Sequence, residues 1–316
     1  MSPGIDAFDF GAIQPGPFTS GARFPDGGAY RVEIPSVEGP AVLDAVFAEA
    51  DEFHVPIHRV SQGSGVMMLT DSEIVTMVER CAERGVMLCL FLGPRGSWDV
   101  GAQRYTVGTV GTRARGRSAV DACVLEAQRA CALGVRSLLV GDEGVLWHLS
   151  TLRATGSLPP DLELKVSVMI APANPVSFGL LERLGADTIN VPSDLSVTQL
   201  AELRAASPTT IDFYVEAPDN IGGFVRLYDV AELVRVAAPI YLKFGLRNAP
   251  DIYPSGRQLE QVAILSGRER VRRARLGLDL LERLYPDALM SAIGAVDQPR
   301  GARFSHVISS MTVAGA

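Results

Sequence analysis

Eight short apolar runs rich in β-branched residues punctuate this chain: YRVEI at 30–34, IHRVS at 57–61, VMLCLF at 86–91, RSLLV at 136–140, ELKVSVMI at 163–170, DTINV at 187–191, TIDFYVE at 210–216 and PIYLKF at 239–244. Each has the length and composition of a buried strand. Between them lie segments with helical spacing of apolar residues, among them 41–53, 71–85, 118–134, 196–206 and 227–238. Strands that alternate with helices pair in parallel, and eight such units close on themselves rather than lie open. The expected fold class is therefore α/β, a (β/α)8 TIM barrel over residues 29–285, with an N-terminal extension at 1–28 and a C-terminal extension at 286–316.

The third unit is longer than the others because of an insert at 93–116, GPRGSWDVGAQRYTVGTVGTRARG. A long loop after a barrel strand lies on the functional face, so this one reads as a lid. The Pro/Gly-rich residues 1–28 either cover the barrel bottom or lie loose. Residues 266–286 read as a long closing helix whose Arg268, Arg270, Arg272, Arg273 and Arg275 form a solvated basic face or, alternatively, a phosphate site.

Composition narrows the partners. A net charge of −7 supplies no basic field for nucleic acid or an anionic membrane, which leaves a small molecule as the expected partner, with a homo-oligomer left open. No signal-like leader and no run of roughly 18 apolar residues is present, so a cytoplasmic location is the default expectation. Cys81, Cys89, Cys123 and Cys131 show no C-x-x-C spacing and sit among apolar residues, the pattern of inert buried thiols. His54 and His58 have i, i+4 spacing, yet Pro56 between them breaks the helix such a metal pair needs. No cofactor is expected, although carboxylates holding Mg²⁺ stay open.

Strand parity locates the interior. In 210–216, Ile211, Phe213 and Val215 make the apolar set that packs under helices, leaving Asp212, Tyr214 and Glu216 inward. The same test turns Arg31, Glu33, Arg59, Ser61, Lys165, Ser167, Met169, Asn190, Tyr241 and Lys243 inward. So many buried charges must pair with one another or with a ligand.

Only two of the 29 cationic side chains are lysines. Lys165 sits early in its strand, where pairing with Asp212 or Glu33 is the simple account. Lys243 sits where the eighth strand opens into its loop, the end at which barrel sites form. Three roles stand open for it: binding a substrate carboxylate or developing oxyanion, a structural pair with Glu216, or a Schiff-base nucleophile. Glu216 and Glu143 are the carboxylates placed for acid/base work or for a divalent metal, with Asp142 alternatively an N-cap. Arg59, Arg95 and Arg247 suit bidentate recognition of a carboxylate or phosphate, and Gln62, Asn190 and Asn248 stand at the same rim.

The segments RACALGVRSLLVGDEGVLWHLSTL at 129–152, VSVMIAPANPVSFGLLERLGADTINVPSDLSVTQLAELRA at 166–205 and TIDFYVEAPDNIGGF at 210–224 resemble the peptidase U32 family of barrel proteins. The likeness lies in Asp142 and Gly144 before a helix, in the LGA before the sixth strand, and in Asp194, Leu195 and Ser196 opening the following helix. That resemblance implies a barrel fold and, at its widest, a peptide or RNA-linked substrate. Members commonly carry a His-Gly pair after the penultimate strand and later cysteines that ligate an iron–sulfur cluster. Here Glu216 and Ala217 stand in that place and no cysteine follows Cys131, so no iron–sulfur cluster is expected. The function expected from the residues is a lyase or isomerase of a small carboxylate-bearing metabolite, with a U32-like activity or a non-catalytic ligand-binding barrel as alternatives.

Overall fold

A computed structural model describes residues 18–93, 112–299 and 301. Its eight strands are β1 (Tyr30–Pro35), β2 (Arg59–Gln62), β3 (Met87–Phe91), β4 (Ser137–Val140), β5 (Glu163–Val166), β6 (Thr188–Asn190), β7 (Thr210–Glu216) and β8 (Ile240–Phe244). Each pairs in parallel with the next, and β8 returns to β1 to close the barrel. The expected (β/α)8 fold is the observed one. The fifth run is shortened most: the strand stops at Val166, and Val168–Ile170 turn into a 3₁₀ helix capped by the Ser167 hydroxyl.

The eight α-helices among the described residues are α1 (Pro40–Glu52), α2 (Asp71–Glu83), α3 (Gly116–Ala132), α4 (Glu143–Ala154), α5 (Pro175–Arg183), α6 (Val197–Ala206), α7 (Val230–Ala237) and α8 (Glu260–Leu284). Their starts follow local chemistry. Thr70 with Glu73 and Ser196 with Gln199 form capping boxes at α2 and α6, while Asp142 accepts from the Val145 amide at α4. No helix among the described residues is long and apolar enough to cross a membrane.

The principal core lies between strands and helices, where Val32, Ile34, Val60, Leu138, Leu164, Ile189, Ile211, Phe213, Ile240 and Leu242 are all fully buried. This is the apolar parity set, and the alternate set points into the barrel. Cys81, Cys123 and Cys131 are buried in that core, Cys89 is buried on the inward face of β3, and burial raises the pKa of each thiol.

The bottom of the barrel is closed from both flanks. Phe24, ahead of β1, meets the Arg31 guanidinium at 3.9 Å and the Tyr241 ring edge-on at 5.7 Å. From beyond α8, Asp297 pairs with Arg31 at 2.8 Å and Ser291 accepts from Arg31 Nε at 2.9 Å.

Candidate functional site

The inward side chains form a ladder of charge running up the barrel axis. Arg59, at the foot of β2 and with no exposed surface, holds Glu33 (2.6 Å), Glu163 (3.1 Å) and Asp212, and its guanidinium lies 3.7 Å from the Tyr241 ring centre. Above it, Lys165 Nζ bonds both oxygens of Glu33, at 2.6 and 2.5 Å, and reaches Asp212 at 3.8 Å. Ser61 and Thr188 donate hydroxyl bonds to Glu33 and Asp212. Burial would raise the Glu33 carboxyl, but Arg59, Lys165 and Lys243 around it hold it well below the ordinary carboxylate range. Glu163, at the lower end, has its pKa raised because burial outweighs Arg59 and Ser137.

Lys243 is the top rung. Its Nζ lies 3.4 Å from Glu33 Oε1 and 4.2 Å from the centre of the Tyr214 ring, a cation–π contact within a buried wall. Lys243 and Tyr214 face a cavity of about 580 Å³, part of it open to solvent, at the C-terminal ends of the strands. Phe91, Leu139, Val168 and Met169 give it an apolar side, while Ser61, Gln62, Ser167 and Asn190 supply polar groups. No carboxylate lines it among the described residues. Burial raises the Tyr214 phenol pKa and keeps the hydroxyl protonated.

Several expected site residues stand elsewhere. Arg59 is not at the rim; it starts a short strand, deep in the barrel, and is enclosed by carboxylates. Glu216 does not meet Lys243. A register shift in β7 pairs Tyr214 with Lys243 but Glu216 with Phe244, whose ring points at the helix layer. Glu216 is thereby turned toward α8, where Oε1 accepts from the Arg247 amide at 2.9 Å and Oε2 lies 3.7 Å from Arg273 Nε. Glu143 opens α4, pairs with Arg113 and does not line the cavity. The two carboxylates considered for a divalent ion therefore do not share a site. Among the described residues no three His, Cys, Asp or Glu side chains group to hold a metal.

Arg247 lies outside the cavity, half exposed and bound to Asp219, whose other oxygen accepts from the Asn248 amide. Gln62 and Asn190 do line the cavity, with both polar ends of the Gln62 amide bonded to the Gly65 backbone. Arg95 and the expected lid lie outside the described residues, apart from the ends of the 93–116 insert. Strand parity turns Tyr214 inward but assigns it no role, and it is silent on Tyr253 and Ser36, whose hydroxyls meet at 2.5 Å on the cavity wall. Tyr253 sits in a Pro-flanked loop that carries no periodic signal.

No protein-family model matches this chain, and no curated protein does. Solved structures of similar fold include a U32 peptidase, 17% identical, covering 72% of this chain and 97% of its own length with a TM-score of 0.43. The YdjI aldolase from Escherichia coli is 15% identical, covering 81% of this chain and 90% of its own, at 0.45. A candidate fructose-1,6-biphosphate aldolase from Coccidioides immitis is 11% identical, covering 81% and 92%, at 0.50. At such identities a likeness speaks to fold alone, and function must be argued from the site.

Proposed function

We propose that this chain is a lyase-type enzyme acting on a small carboxylate-bearing metabolite in the cavity at the barrel mouth. One observation carries the reading. Lys243 presents its ammonium to a cavity that no carboxylate lines among the described residues, and its counter-charge, Glu33, is already divided between Arg59 and Lys165. An ammonium so placed favours an anion, either a substrate carboxylate or the oxyanion that develops as a bond to the adjacent carbon breaks. Tyr214, a neutral phenol on the same wall, is positioned to donate the proton that the departing fragment requires. The apolar side formed by Phe91 and Leu139 excludes water from the reacting carbon and strengthens the attraction to Lys243.

The test is turnover of a panel of small 2-oxo and hydroxy acids followed by proton NMR. Tyr214→Phe is expected to lower kcat by about 10²-fold or more while leaving KM near wild type. Lys243→Met is expected to lose both binding and turnover. Equal turnover of a substrate by wild type and Lys243→Met would end the proposal, and retention of an acid without turnover would make the chain a binding barrel. Borohydride trapping on the tryptic peptide bearing Lys243 separates imine chemistry from purely electrostatic stabilisation.

A further inference from the structure

Charge is unevenly spread over the wall of the mouth cavity. Lys243 is the one charged side chain among the described residues that line it. In the barrel register Lys243 is level with Glu33 of β1, and Ser36 follows beyond the end of that strand, toward the rim. There the wall is built from hydroxyls and backbone: Ser36, Gly63 and Tyr253.

The turn after β2, QGSG at 62–65, is of the glycine-rich kind whose amides cradle anions. Here those amides are already taken. Gly63 and Ser64 donate to Glu38 at 2.8 and 3.0 Å, and Gly65 donates to Gln62 Oε1 at 3.0 Å. Glu38 thus occupies the position that an anionic ligand takes in such a turn, and a carboxylate rather than a cation backs this part of the wall. Tyr253 covers the same turn, since a Cβ on Gly63 would lie 2.6 Å from its ring and 2.9 Å from its hydroxyl oxygen. The loop that carries Tyr253 is pinned there by the Ser255 amide, which donates to Ser64 Oγ at 2.8 Å. Ser36, whose hydroxyl meets that of Tyr253 at 2.5 Å, has a φ of 62°, a region serine enters only where its surroundings hold it. Both hydroxyls are therefore fixed in place. Hydroxyls donate and accept, so a ligand group that does both complements them better than a carboxylate, which only accepts, or a methyl, which does neither.

We propose that the Ser36–Tyr253 pair makes the cavity selective for a monocarboxylate that bears a hydroxyl at its far end, an unphosphorylated hydroxy acid. Its carboxylate lies at Lys243 and its terminal hydroxyl at Ser36 and Tyr253. This specificity rests on the function proposed above, because it takes Lys243 as the anchor of the carboxylate. A second anionic group at the rim would meet no cation among the described lining residues and no loop amide left to receive it.

The experiment measures binding of two matched sets of acids to the full-length protein by calorimetry. Glycerate, lactate and tartronate differ only in ending in a hydroxymethyl, a methyl or a second carboxylate. Threonate, its terminally deoxygenated analogue and tartrate repeat the comparison one carbon longer. In at least one set the hydroxymethyl acid is expected to bind about tenfold or more tighter than both of its partners. Tyr253→Phe, which leaves the ring packed on Gly63, and Ser36→Ala are each expected to bring that acid down toward its methyl-ended analogue without weakening the analogue. A diacid that binds as tightly as the hydroxy acid in both sets, or a preference that survives both variants, overturns the proposal. Failure of the function itself reads differently. If wild type binds the acids without preference and Lys243→Met loses them all, the hydroxyl specificity alone is wrong. If wild type binds none of them, or Lys243→Met binds them unchanged, the anchoring role of Lys243 falls and the specificity falls with it.

Discussion

Nζ of Lys243 stands 3.4 Å from Oε1 of Glu33, while Lys165 holds both oxygens of the same carboxylate at 2.6 Å or less. Two lysines on one carboxylate thus have unequal structural duties. Lys165 and Arg59 hold Glu33 closely and also reach Asp212, whereas Lys243 touches Glu33 at longer range and faces the cavity.

That inequality predicts unequal losses of stability. Lys165→Met strips the closest counter-ion from a fully buried carboxylate and should cost about 3–5 kcal/mol. Lys243→Met is a near-isosteric exchange beside the Tyr214 ring, and should cost less than about 1.5 kcal/mol. Urea midpoints of the two variants, at equal slope, measure the difference. Equal loss in both would mean that Lys243 is structural and has no charge to spare for a ligand.

His58 predicts acid sensitivity. It is buried at the barrel bottom, where Nδ1 accepts from the Val32 amide (3.1 Å) and Nε2 donates to the Ser291 carbonyl (2.9 Å). Burial, helped by Arg31, pushes its pKa from 6.5 down to about 4. The folded imidazole stays neutral where the unfolded one takes a proton, so its contribution is intact above pH 6.5 and is lost as pH falls toward 4. By about pH 4.5 the loss amounts to about 2–3 kcal/mol. His58→Gln removes the titrating group, and its stability relative to wild type should improve by that amount between about pH 7 and about pH 4.5. A gap that is constant with pH would refute the assignment.

Gly277 predicts a helix substitution that runs against propensity. Alanine in place of glycine inside a helix ordinarily gains about 1 kcal/mol. Here the added Cβ would lie 2.5 Å from the Phe244 ring, which is wedged between β8 and α8. Overpacking of this kind costs about 1–3 kcal/mol, so Gly277→Ala should be neutral to destabilising by thermal melt. A clear gain in melting temperature would show that the ring has room to move.

The barrel is legible in the sequence because eight strands repeat one period and one parity, and each repeat supports the next. Parity also turns Glu33, Lys165, Asp212 and Lys243 inward, as observed. It fails at Glu216, since a single extra residue in β7 reverses the alternation and nothing in TIDFYVE marks the bulge. It fails for Arg59 in depth, not direction: the apolar run opens at 57, but the strand begins at 59, so the arginine enters the barrel at its foot. Arg270 and Tyr253 are beyond alternation altogether, because one faces inward from a helix outside the strands and the other hangs from a loop.

The ladder of charge also bears on how the chain assembles. Its members come from β1, β2, β5, β7 and β8, and the links Glu33–Lys165 and Arg59–Asp212 span 132 and 153 residues. A half-barrel would bury these ions with their partners still in solvent, so partly built sheets are penalised rather than rewarded. Ring closure and charge neutralisation become a single event, which makes the last strand as necessary to the first as any neighbour in sequence.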